Sequence, residues 1–167
     1  PRMADSGDVF AATTSLDGAL REALVVNERG AHAAVAAGAD VIVSVVSVSE
    51  TFSQKNVRMS TSEAIAEMAT IVSVARDAGL PTSINLSASF GCAFEGPVSP
   101  GAVADVAASL ADVGVTELLL ADTIGAAAPS DVRAVVDAMR DRIDDSTHLG
   151  LHLHDTRGMA LANATAG

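Results

Sequence analysis

Apolar positions along this chain follow two alternating rhythms. Residues 40–48 (Asp-Val-Ile-Val-Ser-Val-Val-Ser-Val) form a near-continuous β-branched run. That is how a strand covered on both faces reads. Shorter strand patterns fall at residues 22–26 (Glu-Ala-Leu-Val-Val), 82–87, 117–121 (Glu-Leu-Leu-Leu-Ala) and 148–154. Helical patterns separate them. Residues 4–14 suggest a short helix with Val9 and Phe10 inward, and the Ala-rich stretch 28–37 suggests another, ending at Gly38. After a polar segment, Ser60-Thr61-Ser62-Glu63 has the form of a capping box. The helix it opens carries Ile65, Met68, Val72 and Ala75 on one stripe, and Gly79 and Pro81 stop it. Ser99-Pro100 supplies an N-cap and a first-turn proline for a helix with Val103, Val106, Leu110 and Val113 inward. Pro129 opens a further helix on Val132, Val136 and Met139, and an Ala/Leu-rich helix follows Gly158.

The resulting order is a helix, then strand and helix alternating five times. Ala37-Gly38, Ala78-Gly79 and Val113-Gly114 each stand just before a strand. This rhythm predicts an α/β fold of parallel strands joined by crossover helices, in a single domain over residues 1–167. An open doubly wound sheet and a (β/α)8 TIM barrel both fit. The polar clusters favour the barrel. Ser49-Glu50, the stretch Ser87 to Cys92, Asp122-Thr123 and His154-Asp155-Thr156 each follow a strand. A barrel gathers all such carboxyl ends around one centre, whereas an open sheet uses mainly one crevice. A complete barrel takes about 250 residues. The expectation is therefore a partial barrel of about five strand–helix units.

Composition removes several classes of function. A net charge of −11 argues against a broad nucleic-acid or anionic-membrane interface. The absence of Trp and Tyr leaves little with which to stack bases or sugars. No apolar run reaches the roughly 18 residues of a membrane span. The start, Pro1-Arg2-Met3-Ala4-Asp5, has no signal-peptide core and does not resemble a natural beginning. The single cysteine, Cys92, forbids an intrachain disulfide and is compatible with a reducing cytosol, so a cytoplasmic location is expected.

The candidate chemistry lies at Gly150-Leu151-His152-Leu153-His154-Asp155-Thr156-Arg157-Gly158. Two residues apart on a strand, His152 and His154 aim their imidazoles to one face. Two imidazoles converging where a strand ends can hold a divalent metal. The spacing alone fits two half-buried sheet histidines equally well.

Taken together, four segments resemble the 3-hydroxy-3-methylglutaryl-CoA lyases, metal-dependent TIM-barrel enzymes related to the Claisen-condensing enzymes. The first is Ser47-Val48-Ser49-Glu50-Thr51-Phe52 with Lys55-Asn56-Val57. The second is Phe90-Gly91-Cys92-Ala93-Phe94-Glu95-Gly96-Pro97-Val98-Ser99-Pro100, similar to the family's G-C-P-Y-E-G-x-x-S-P. The third is Asp122-Thr123-Ile124-Gly125, its D-T-I-G. The fourth is His152 to Gly158 with Ala160-Leu161-Ala162-Asn163, its H-x-H-D-T-x-G-x-A-L-A-N.

The resemblance implies cleavage of 3-hydroxy-3-methylglutaryl-CoA to acetyl-CoA and acetoacetate, as in leucine catabolism and ketone-body metabolism. It implies His152 and His154 as ligands of Mg2+ or Mn2+, with His152 also taking part in proton transfer. Oxygen ligands from substrate and water beside two imidazoles suit those cations better than a closed tetrahedral zinc site. Asp122 is implied as a catalytic group that orients a histidine or polarises the substrate hydroxyl, with a capping or turn aspartate as the alternative reading. Glu50 and Ser87 are candidate substrate-binding groups, with surface or packing roles fitting equally well. Asp155 reads as an outer partner or a cap, and Asn163 as a helix residue rather than a ligand. Cys92 reads as structural, because the family's reactive cysteine lies in a different loop. The partner is an acyl-CoA, with no nucleic acid or membrane, and a homodimer is allowed.

Against the family pattern, the first two strands and the last are expected to be missing. With them go an Arg-Asp pair, a reactive-cysteine loop and a ligating asparagine. The chain by itself is then expected to be inactive, with open sheet edges. Ala93-Phe94 replaces Pro-Tyr, and Ser83 stands where the lyases usually carry arginine. Both bear on the substrate. The alternatives are a Claisen-type synthase or carboxyltransferase on the same barrel, or an inactive truncated relative.

Overall fold

Five strands lie side by side in the order in which the chain makes them, every neighbouring pair parallel. This arrangement belongs to the computed structural model, which describes residues 5–15 and 18–167. In chain order the elements are α1 (Ser6–Ala12), β1 (Glu22–Leu24), α2 (Glu28–Ala36), β2 (Val41–Ser47), α3 (Glu50–Asn56) and α4 (Thr61–Asp77). Then come β3 (Thr82–Ser87), α5 (Pro100–Asp112), β4 (Glu117–Asp122), α6 (Pro129–Arg140), β5 (His148–Leu153) and α7 (Ala160–Ala166). A doubly wound sheet reverses its strand order at a switch point. Here each new strand adds to the same edge, which is how a (β/α)8 barrel grows. The fold is a partial TIM barrel.

Strand alternation sorts the side chains into two faces. Ile42, Val46, Ile84, Leu86, Leu118 and Leu120 face the helices and are sealed against them. Opposite them from the helices come Met68, Ile71, Val103, Leu110, Val132 and Met139. The other face, the inside of the barrel, carries Val43, Val45, Ser83, Asn85, Ser87, Glu117, Leu119 and His152. The run 40–48 was expected to be covered on both sides. Its helix side is closed, while Val43 and Val45 are only half-buried.

Local signals explain most boundaries. Ser60 and Glu63 close a reciprocal capping box on α4. Ser99 caps α5 ahead of Pro100. Asn27 caps α2 through the Gly30 N–H. Four expectations need correcting. Phe10 of α1 is half-buried against the core as expected, but Val9 is exposed and no residue of α1 is fully buried; residue 4 of its expected span lies outside the described residues. The strand expected at 22–26 is only Glu22–Leu24. Helix α5 buries Val103, Ala104, Ala107 and Leu110, because the smaller alanines let it approach the sheet, and leaves Val106 and Val113 half-buried. Helix α3 was read only as a polar segment.

Two predictions follow from this packing. Ile84 is fully buried in the central strand, so Ile84→Ala should cost about 2–5 kcal/mol in a denaturant titration. Arg21 and Asp40 tie the entrance of β1 to that of β2 through a paired contact at 3.0 Å and a backbone bond at 2.9 Å. Arg21's side chain, then its backbone N–H, hold the Asp40 carboxyl below its ordinary 3.8. A carboxylate with a lowered folded-state value stabilises above its unfolded value and loses that contribution as pH falls through the folded one. Asp40→Asn should therefore lower the thermal midpoint at pH 7, and the gap to the parent should close in acid below pH 3.8.

Candidate metal and substrate site

The carboxyl ends of β3, β4 and β5 meet in a cavity of about 280 Å3 lined by Asn56, Asn85, Ser87, Thr123, His152 and His154. His152 pairs in register with Ala121 on the inner face, and His154 follows on the same side. Their Nε2 atoms lie 3.2 Å apart. His154 Nδ1 is 3.0 Å from the Thr123 carbonyl oxygen. A carbonyl only accepts, so His154 carries its proton on Nδ1 and turns the bare Nε2 toward His152. Adjacent ligands around an octahedral cation at the usual Mg2+ distances stand roughly 3 Å apart. The pair therefore fits one small divalent ion. No group of three or more His, Cys, Asp or Glu side chains assembles around an ion among the described residues. The remaining ligands would have to be water, substrate or other residues.

Ser87 is buried beside the histidines in this cavity and makes no side-chain hydrogen bond to a described residue. Asp122 and Glu50 stand elsewhere. Asp122 lies one residue out of phase with the inner face and is only 1% exposed. Its two oxygens accept from the Ala126 N–H at 2.9 Å and the Ala127 N–H at 3.1 Å. It does not reach a histidine, contrary to expectation. It braces the turn whose Thr123 carbonyl holds His154, so it serves the site as a positioning residue. Glu50 is exposed and accepts from the Thr61 N–H at 2.9 Å, fastening α3 to the start of α4 rather than lining the cavity. Cys92 is 4% exposed, 3.0 Å from the Ser49 hydroxyl, with the Phe94 N–H also directed at its sulfur. Burial raises its thiol, but the Ser49 hydroxyl and the Phe94 and Glu95 amides together hold it below its ordinary value. It lies outside the histidine cavity.

Asn85 and Asn56 also line the cavity and were not singled out beforehand. Asn56 belongs to the segment Lys55-Asn56-Val57, whose family likeness was the available signal. Asn85 shows only through strand phase, as an inner-face residue two before Ser87. The loops are fastened to one another. The Ala88 N–H donates to Thr123 Oγ1 at 2.9 Å, and Ala88 has a φ of 60°, an uncommon conformation for a residue with a Cβ. Asp155 caps α7 by accepting from the Ala160 N–H, and buried Asn163 donates to the Ala127 carbonyl. His32, exposed near Glu28 on α2, and His148, at the other end of β5, play no part here.

This consecutive parallel sheet, with its polar groups gathered at the carboxyl mouth, defines the class as TIM-barrel proteins of the kind that build their site there. The chain belongs to the HMGL-like family, whose pattern matches residues 9–167. It is 38% identical over 163 residues to a hydroxymethylglutaryl-CoA lyase of Bacillus subtilis, covering 98% of this chain and 54% of that protein. It is equally 38% identical over 164 residues to an (R)-citramalyl-CoA lyase of Chloroflexus aurantiacus, covering 98% and 51%. The crystal structure of the HMG-CoA lyase from Brucella melitensis superposes with a TM-score of 0.92 at 38% identity, over 98% of this chain and 57% of that one. The chain thus spans about half the length of these relatives.

The bracing role of Asp122 is testable. Asp122→Ala leaves two buried N–H groups without an acceptor and should cost about 1–3 kcal/mol. Mn2+ affinity, read by calorimetry, should fall less than when a histidine is removed.

Proposed function

We propose that this chain carries the metal- and substrate-binding half of a divalent-cation-dependent lyase that cleaves a carbon–carbon bond in a 3-hydroxyacyl-CoA. 3-Hydroxy-3-methylglutaryl-CoA is the first substrate to test. One observation carries the reading: two imidazole Nε2 atoms 3.2 Å apart at the carboxyl mouth of a parallel sheet. Family membership and lyase relatives over 98% of the chain support it. When bound, Mg2+ or Mn2+ would lower the pKa of the substrate's tertiary hydroxyl and fix its orientation.

The chain's own groups divide the remaining work. His154, clamped through Nδ1 to Thr123, is the fixed ligand. His152 has no second anchor among the described residues; one lone pair on Nε2 cannot bind the cation and a proton together, so His152 would take the hydroxyl proton on letting go of the ion. As that proton leaves, the oxygen's electrons form a ketone. The neighbouring carbon–carbon bond breaks, and its electron pair departs on the thioester enolate, which protonation turns into acetyl-CoA. The free hydroxyl of Ser87 is available to hold a substrate oxygen beside His152. Lys55, 4.9 Å above the exposed Phe94 ring, adds positive charge near α3 to a chain of net −11, where an anionic coenzyme needs it.

(R)-Citramalyl-CoA is the second substrate to assay, because a relative named for it is as similar as the hydroxymethylglutaryl-CoA lyases. The decisive measurement for this chain is Mn2+ binding by calorimetry. The parent should bind one Mn2+ per chain, and His152→Ala and His154→Ala should each weaken binding at least tenfold. Equal affinity in parent and both variants removes the ligand assignment.

A further inference from the structure

We infer that Asn85 is a specificity-determining residue: its amide bonds an oxygen of the substrate held deeper in the barrel than the two histidines. The inference rests on the lyase reading above. In register, Asn85 stands between Val45 on β2 and Leu119 on β4, and Leu119 stands beside Gly150 on β5. Across four strands this layer of the inner face therefore holds two apolar side chains, a glycine and one amide. A Cβ at Gly150 would lie 2.5 Å from Leu119 Cδ2, so Leu119 already covers that position. The amide has no polar neighbour within its own layer.

Its Oδ1 is buried without a hydrogen-bond partner, and no side-chain hydrogen bond joins Asn85 to any described residue. Yet Asn85 lines the same cavity as His152, His154 and Ser87. Asn85 as a whole is half-buried, but a buried amide oxygen without a donor destabilises a fold, and leucine of nearly the same volume would remove that cost beside Val45 and Leu119. Among the described residues the oxygen has no partner, which leaves it open to bond something that enters the cavity. The layer lies two residues below His152, about 7 Å along the strands, within reach of a short acyl chain whose hydroxyl sits at the histidines. A carboxamide both donates and accepts, so it fits a carboxylate, carbonyl or hydroxyl oxygen and disfavours a methyl group.

Two measurements on this chain test the inference. In thermal unfolding followed by circular dichroism, Asn85→Leu should raise the midpoint by about 2–4 °C, since it removes an unsatisfied amide. An unchanged or lower midpoint overturns the inference, because it means the amide is already satisfied within the fold. In calorimetry on the Mn2+-loaded chain, 3-hydroxy-3-methylglutarate should bind about tenfold more tightly than 3-hydroxy-3-methylpentanoate, which carries a methyl in place of one carboxylate. Asn85→Leu should erase that preference and leave Mn2+ affinity unchanged. Asn85→Asp, which keeps the shape and adds a charge, should weaken the dicarboxylate at least tenfold. Normal Mn2+ binding with the preference intact in Asn85→Leu overturns the role of Asn85 alone. Failure of the parent to bind Mn2+ overturns the metal reading, and the unfolding measurement still decides whether the amide lacks an internal partner.

Discussion

One hydrogen bond, 3.0 Å from His154 Nδ1 to the Thr123 carbonyl, sets the chemistry of the strand mouth. It fixes a tautomer, and through the tautomer it fixes which nitrogen is free to bind. The bond exists because β4 and β5 are parallel neighbours in register from Glu117↔His148 to Asp122↔Leu153. Parallel pairing brings both carboxyl ends to the same height, so the loop after one strand can serve the side chains of the next. The same principle joins β3 to β4, where the Ala88 N–H meets Thr123 Oγ1. Thr123 thus holds one neighbour with its hydroxyl and the other with its carbonyl.

The loop residues around this contact work mainly by shaping backbone. Asp122 binds two N–H groups of its own turn. Gly125 has a φ of 64°, and a Cβ there would run into the Thr156 side chain, so only glycine lets the β4–α6 and β5–α7 loops approach this closely. Glu95 accepts from the Thr51 N–H at 2.6 Å, and the Thr51 contact holds its carboxyl below the ordinary range. By clasping the start of α3, Glu95 helps to set where Asn56 meets the cavity. Asp122, which the resemblance implies as a catalytic group, and the motif residues Gly125 and Glu95 thus act here on backbone.

Much of the fold was legible because its signals are local and repeated. The β-branched runs, the capping box at Ser60 and the prolines at 100 and 129 each act within a few residues. The rhythm of strand and helix then requires parallel strands. Helix α3 escaped because it has no apolar stripe: Ser53 is its only buried residue, and its first turn is held by Ser49 and by Glu95 from a distant loop. The burial of α5 departed from its valine stripe for a related reason, since sheet contact selects small side chains and not only apolar ones. The histidine pair was legible from strand period alone. The true position of Asp122 was too, in principle, because it stands at odd phase to Ala121. The family resemblance pulled it toward the histidines, while the alternation of the strand sends it to the helices.

That alternation also explains why the inner face reads so weakly in the sequence. A helix-facing position must be apolar, and a wrong residue there costs several kcal/mol. An inner-face position in a barrel answers instead to what lies across the barrel and to what the mouth admits. Ser83 and Glu117 bond to each other on adjacent strands, while the side chain of Asn85, two residues farther along, has no hydrogen bond to a described residue. Two polar groups on the same face and neighbouring layers thus differ in kind. The first pair is satisfied by the fold and stabilises it. The second has no partner among the described residues, which is the ground for the inference that it bonds a ligand. Burial and partner together make this distinction, and neither is written in the letters.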